Sequence, residues 1–179
     1  MAEQKDGVWV FGYGSLMWRP GFPYREVRPA LIKGYHRALC IYSIVYRGAP
    51  GRPGLVMGLD RGGSCKGLAF LVAAKDAGET LAMLDKRELV HNAYIRKSLM
   101  ARLDDGRAVT AQAFVARRGH RQYARGLSQK QMAQVIMQGH GPEGSSLDYL
   151  KNVIERMDEL GVPDGPLHRL LERVEGEVP

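Results

Sequence analysis

Apolar and polar positions divide this chain into a strand-forming part and a helical part. Strand patterns dominate the first two thirds. Residues 8–11, 37–45, 55–59, 66–72, 94–103 and 109–116 are rich in β-branched, aromatic or aliphatic side chains. Asp104-Asp105-Gly106-Arg107 separates the last two of these runs, and Asp-Gly between such runs predicts a hairpin. Gly62-Gly63 separates 55–59 from 66–72 in the same manner. One helix, over residues 76–88 with Leu81 and Leu84 three apart, interrupts the strands.

The last third reads as helical. Ser128-Gln129-Lys130-Gln131 has the form of a capping box. Met132, Val135 and Ile136 follow at helical spacing, and Gly139 is a stop. Ser146 is a candidate cap for a helix with Leu147, Leu150, Val153, Ile154, Met157 and Leu160 on one face, ended by Gly161-Val162-Pro163. Pro166 suits the first turn of a final helix carrying Leu167, Leu170 and Leu171. Strands first and helices later predict an α+β fold with a mainly antiparallel sheet, of which a barrel is one form. A length of 179 residues suits one domain over 1–179.

Composition narrows the class. At 45% apolar and 25% charged residues the chain is an ordinary globular protein, and no apolar run is long enough to span a bilayer. The polar opening Met1-Ala2-Glu3-Gln4-Lys5-Asp6 is not a signal peptide, and Cys40 and Cys65 make neither a disulfide framework nor a spaced metal motif. A reducing cytoplasm is the expectation. The net charge of +7 is uneven: residues 1–140 hold 22 Lys and Arg against 10 Asp and Glu, and residues 141–179 hold 4 against 9. The cations are scattered and lack interleaved aromatics, so a solvated basic surface is expected rather than a nucleic-acid track.

The most informative segment is Phe11-Gly12-Tyr13-Gly14-Ser15-Leu16, where a strand stops at two glycines and a new apolar run begins. Its N–H groups suit an anion or a developing negative charge, and a purely structural turn is the competing reading. It is no dinucleotide fingerprint, because Met17 stands where a third glycine is needed. Ser15 is no elbow nucleophile, because Tyr13 and Met17 occupy the glycine positions of that motif. His36, His91, His120, His140 and His168 show no metal-ligand spacing, so no metal is expected. Glu88 ends the predicted helix behind Lys86 and Arg87, at the unfavourable end of the dipole; it is a functional acid or an ordinary solvated one. Tyr149 lies in the first turn of a helix fed by Gly141-Pro142-Glu143-Gly144-Ser145, either near a site or packed in the helix face.

Together these pieces resemble the ChaC-type, glutathione-specific γ-glutamylcyclotransferases. The matching stretches are residues 10–22, 47–54, 84–88 with Tyr94 beyond, 103–109 and 141–150, in family order. The resemblance implies a mixed, barrel-like sheet with flanking helices and a reaction without metal or organic cofactor. Glutathione would be the small-molecule substrate, its own α-amine attacking the γ-carbonyl to give 5-oxoproline and Cys-Gly. Glu88 matches the catalytic glutamate. Tyr13, Gly14, Ser15 and Leu16 match the binding loop, and Tyr149 an active-site tyrosine. Arg47, in its Pro- and Gly-rich loop, is expected to shape the outer wall of the pocket. His91-Asn92-Ala93 and Ser146 depart from the usual family sequence, glycine-containing at the first and Asn at the second. The alternatives are a cyclotransferase of this fold acting on other γ-glutamyl amines or dipeptides, and a non-catalytic binding or regulatory member. The oligomeric state is left open.

Overall fold

Five strands close into a barrel in the order β1-β3-β2-β4-β5: β1 (Gly7–Gly12), β2 (Glu26–Ser43), β3 (Gly54–Ala73), β4 (Tyr94–Leu103) and β5 (Ala108–Ala116). The computed structural model describes residues 6–162 and 164–177, so the N-terminal residues 1–5 and the predicted helix stop at Pro163 lie outside the described residues. The chain divides into two compact units, Met1–Ala38 with Gly58–His120, and Leu39–Met57 with Arg121–Pro179.

In the first unit the pairings β1–β3, β2–β4 and β4–β5 are antiparallel, while β1 meets β5 in parallel with Trp9 opposite Ala111. The sheet is therefore mixed and mainly antiparallel, as expected. The hairpin at 104–107 forms: the Gly106 N–H donates to Leu103 O at 3.0 Å, the Leu103 N–H donates to Arg107 O at 2.8 Å, and Gly106 takes φ +89°. Gly62-Gly63 does not form one. The two predicted strands on either side of it are the single strand β3, and the glycines at φ +99° and +69° bend the strand without reversing it. The β2 strand starts at Glu26, well before the predicted residue 37. Its early part alternates, with Ala30 and Ile32 buried between more exposed residues, and Pro29 and Gly34 conceal that period in the sequence. Helix α1 (Ala74–Glu88) buries Leu84 among Val10, Leu16, Phe22, Phe70, Val72 and Phe114. Leu81 remains half-buried.

The second unit holds α2 (Gln129–Gln138), the two-residue strands β6 (His140–Gly141) and β7 (Gly144–Ser145), α3 (Ser146–Glu159) and α4 (Gly165–Glu177). Ile136, Leu150, Val153, Leu170 and Val174 form its buried helical faces. Both halves of the Ser128/Gln131 capping box are made, and Gly139 caps the end of α2. The cap of α3 differs from the sequence reading. It is Ser145, whose hydroxyl accepts the Asp148 N–H at 2.9 Å. Ser146 turns the other way and bonds twice to β3: its Oγ accepts the Leu55 N–H at 2.9 Å and donates to Leu55 O at 2.8 Å.

Candidate active site

The site in the first unit is built on the end of β1. After Gly12 the chain folds into a single 3-10 turn, Ser15–Met17, with the Met17 N–H donating to Gly14 O at 2.9 Å. Gly12 sits in a close approach: a Cβ there would lie 3.0 Å from the Leu16 Cβ and 3.3 Å from the Phe70 ring. The side chains of Tyr13 and Leu16 are buried. Tyr13 donates its hydroxyl to Phe114 O at 2.6 Å. What the turn offers a ligand is therefore its backbone and Ser15.

Two arginines tether this turn. Arg37, from β2, donates Nε–H to Tyr13 O and Nη2–H to Lys66 O, each at 2.7 Å. Arg87, from the last turn of α1, donates Nη2–H to Ser15 Oγ at 3.1 Å. The same guanidinium places Nε 3.5 Å from Glu88 Oε1, and the two side chains are only 17% and 19% exposed. Glu88 is thus not a solvated helix acid. It is largely enclosed and joined through one arginine to the turn. The helix ends immediately after it. The Leu89 N–H returns to Asp85 O, and Asn92 takes φ +57° with its N–H on Leu89 O. Asn tolerates this left-handed conformation as few residues do. The Asp85–Arg96 ion pair at 3.1 Å joins the end of α1 to β4. Cys65, also in this unit, is buried, and burial pushes its thiol above the ordinary value, which suits a packed side chain rather than a nucleophile.

Tyr149 and Arg47 belong to the second unit and meet each other there. The Arg47 guanidinium lies 5.7 Å from the centre of the Tyr149 ring, and Nη1–H donates to Ser145 O at 3.3 Å. The Tyr149 oxygen accepts the Met57 N–H at 3.1 Å. Arg47 is 5% exposed, so its side chain is packed inward.

The sequence motifs marked Glu88, the strand-end glycine turn and Tyr149; the structure adds the arginine that ties the first two together and the one that lies over the Tyr149 ring. The sequence profile of the ChaC-like protein family matches residues 8–177. The chain belongs to the ChaC-like family. Among its relatives, the glutathione-specific γ-glutamylcyclotransferase of Escherichia coli strain K12 is 34% identical over 167 residues, covering 93% of this chain and 72% of that protein. The mouse glutathione-specific γ-glutamylcyclotransferase 1 is 32% identical over 160 residues, covering 87% and 72%. In fold the chain is similar to the crystal structure of a yeast γ-glutamylcyclotransferase specific to glutathione, with a TM-score of 0.87, 22% identity and 96% of each chain covered. Among the described residues no helix is long and apolar enough to cross a membrane.

Two residues of this candidate site escaped sequence reasoning. Arg37 looked like one of many scattered cations; its signal was its place at the head of an apolar strand run. Arg87 was visible only as a cation beside Glu88, with no indication that it also reaches Ser15.

Proposed function

We propose that this chain cleaves glutathione to 5-oxoproline and Cys-Gly, with Glu88 moving the protons. The observation that carries the reading is the enclosed Glu88 carboxylate, linked through Arg87 to Ser15 of the strand-end turn. Naming of the relatives as glutathione-specific supports the substrate.

The chemistry asks little beyond positioning and one proton shuttle. The substrate's α-amine nitrogen bonds to its own γ-carbonyl carbon, the γ-amide C–N bond breaks, and one proton passes from the attacking amine to the leaving amine of Cys-Gly. No water and no redox partner enters the balance. A carboxylate can take the first proton and deliver the second, a role that typically contributes ~10²–10⁴-fold. The backbone of Tyr13, Gly14, Ser15 and Leu16 holds the γ-glutamyl head bent for ring closure. Fixing that geometry removes much of the entropic barrier of the intramolecular attack. Tyr149 serves as the active-site tyrosine of the family, and Arg47 supports its ring from beneath. The chain works as a single domain over 1–179, in a reducing cytoplasm where glutathione is available.

Part of the basic excess is spent on ion pairs and on the turn. Arg28 and Arg107 are paired with Glu26, Asp104 and Asp105, and Arg118 with Asp60. Arg37 and Arg87 are engaged at the turn.

The test is incubation with glutathione while 5-oxoproline and Cys-Gly are measured, alongside Glu88→Gln. The expected result is turnover by the native chain and a loss of ~10²-fold or more in the variant. Equal turnover by both removes Glu88 from the mechanism. Turnover of γ-glutamyl-alanine but not of glutathione transfers the activity to other γ-glutamyl substrates.

A further inference from the structure

We propose that Arg87 is a positioning residue that sets the Glu88 carboxylate against the substrate-holding turn, a role that rests on the reading of Glu88 as the proton shuttle. Neighbouring residues on a helix do not ordinarily face each other, since successive side chains point about 100° apart around the axis. The approach of Arg87 Nε to Glu88 Oε1 at 3.5 Å is therefore no routine helix pair. It arises because the guanidinium is anchored elsewhere, by Nη2–H on Ser15 Oγ at 3.1 Å. One rigid, planar group thus touches both the acid and the turn.

Consequences follow from the chemistry of that group. Guanidinium presents donors in a fixed fork, so holding Ser15 with one nitrogen fixes where the other can meet a carboxylate. With both side chains less than a fifth exposed, the contact is screened by water far less than a surface pair. The Ser15 hydroxyl has a task that the sequence alone did not assign: it accepts from the arginine that orients the acid. Proton transfer to the attacking amine and then to the leaving amine demands a carboxylate held within hydrogen-bond reach of both. A loosened Glu88 would still be present but would face the amine in fewer of its rotamers.

The experiment measures kcat and KM for 5-oxoproline formation from glutathione by the native chain, Arg87→Met, Ser15→Ala, the double variant and Glu88→Gln, with thermal unfolding recorded for each. The expected result is a kcat lower by about 10–100-fold for Arg87→Met, the range seen when an orienting partner is removed, with KM within about threefold of native. Ser15→Ala lowers kcat in the same direction by less. The double variant falls no further than Arg87→Met, because both changes cut one link. A kcat for Arg87→Met within about twofold of native, a change confined to KM, or losses that multiply in the double variant each overturn the proposal. Should Arg87→Met fail to fold, Ser15→Ala decides: a lowered kcat supports the link and a native kcat overturns it. Inactive Glu88→Gln beside fully active Arg87→Met refutes the positioning role alone, whereas active Glu88→Gln refutes the underlying reading and the positioning role with it.

Discussion

Replacing Ser146 by alanine is expected to damage the fold more than replacing Ser145, although Ser145 is the helix cap. Ser146 is fully buried and Leu55, its partner on β3, is 1% exposed. The hydroxyl accepts the Leu55 N–H at 2.9 Å and donates to Leu55 O at 2.8 Å. Alanine removes one oxygen and strands both backbone groups in a site without water access. A buried donor or acceptor left unmatched costs about 1–3 kcal/mol, the N–H more surely than a carbonyl with a second lone pair, so ~2–3 kcal/mol is the expected loss. For a chain of this length that lowers the thermal midpoint by ~4–12 °C. Ser145→Ala removes a single capping bond to the Asp148 N–H at 2.9 Å, in an exposed setting. Caps of this kind are worth about 1 kcal/mol, or ~2–4 °C. Thermal unfolding of both variants by circular dichroism checks the order. A larger shift for Ser145→Ala, or a shift under about 2 °C for Ser146→Ala, would refute the assignment of Ser146 to β3 and return it to the capping role that its sequence position suggests.

Two further outcomes test other parts of the chain. Asn92 sits at φ +57°, so Asn92→Ala should cost about 1–2 kcal/mol while Asn92→Gly stays within about 0.5 kcal/mol of native, as read by thermal or urea unfolding. The His168 imidazole is held above its ordinary value of 6.5 by its hydrogen bond to Asp164 O and then by the Asp158 carboxylate. Because the folded value is raised, its contribution to stability is complete below about pH 6.5 and fades as pH rises through the folded value. His168→Gln should flatten that part of the pH–stability curve, and a curve of unchanged slope would count against the contact.

The sequence disclosed those features of the fold that depend on local chemistry. The hairpin at 104–107 was legible because Asp-Gly supplies the left-handed residue that Gly106 provides at φ +89°. The α2 boundaries were legible because Ser128 and Gln131 satisfy each other and Gly139 ends the helix. Failures came where one local signal serves two outcomes. Two left-handed glycines make a tight turn or bend a long strand, and only pairing partners decide between them. At Gly62 and Gly63 the ladder continues on both sides, and the turn reading failed for that reason. Adjacent serines pose the same ambiguity. Either hydroxyl can cap α3, and the choice is made by Leu55, 91 residues away in sequence, which claims Ser146.

The candidate site follows the same division. Glu88 and the turn at 12–16 could be named from sequence because their residue types and order carry the resemblance, but their enclosure could not. A glutamate behind Lys86 and Arg87 at a helix end reads as solvated until something draws the neighbouring arginine inward. That something is Ser15, 72 residues distant. The pair also alters how the opening motif is understood. Tyr13 and Leu16 face the core, and Arg37 fixes the Tyr13 carbonyl, so the turn is held rigid from three directions by β5, β2 and α1. Under the proposed function, a turn so constrained loses little conformational freedom when it takes up the substrate, and binding free energy is then available to bend the substrate toward ring closure rather than to order the protein. On this argument the arginines that inflate the chain's net charge are not a surface property at these two positions. Under the proposed function, they hold the backbone turn and the single carboxylate for a reaction whose nucleophile and leaving group both come from the substrate.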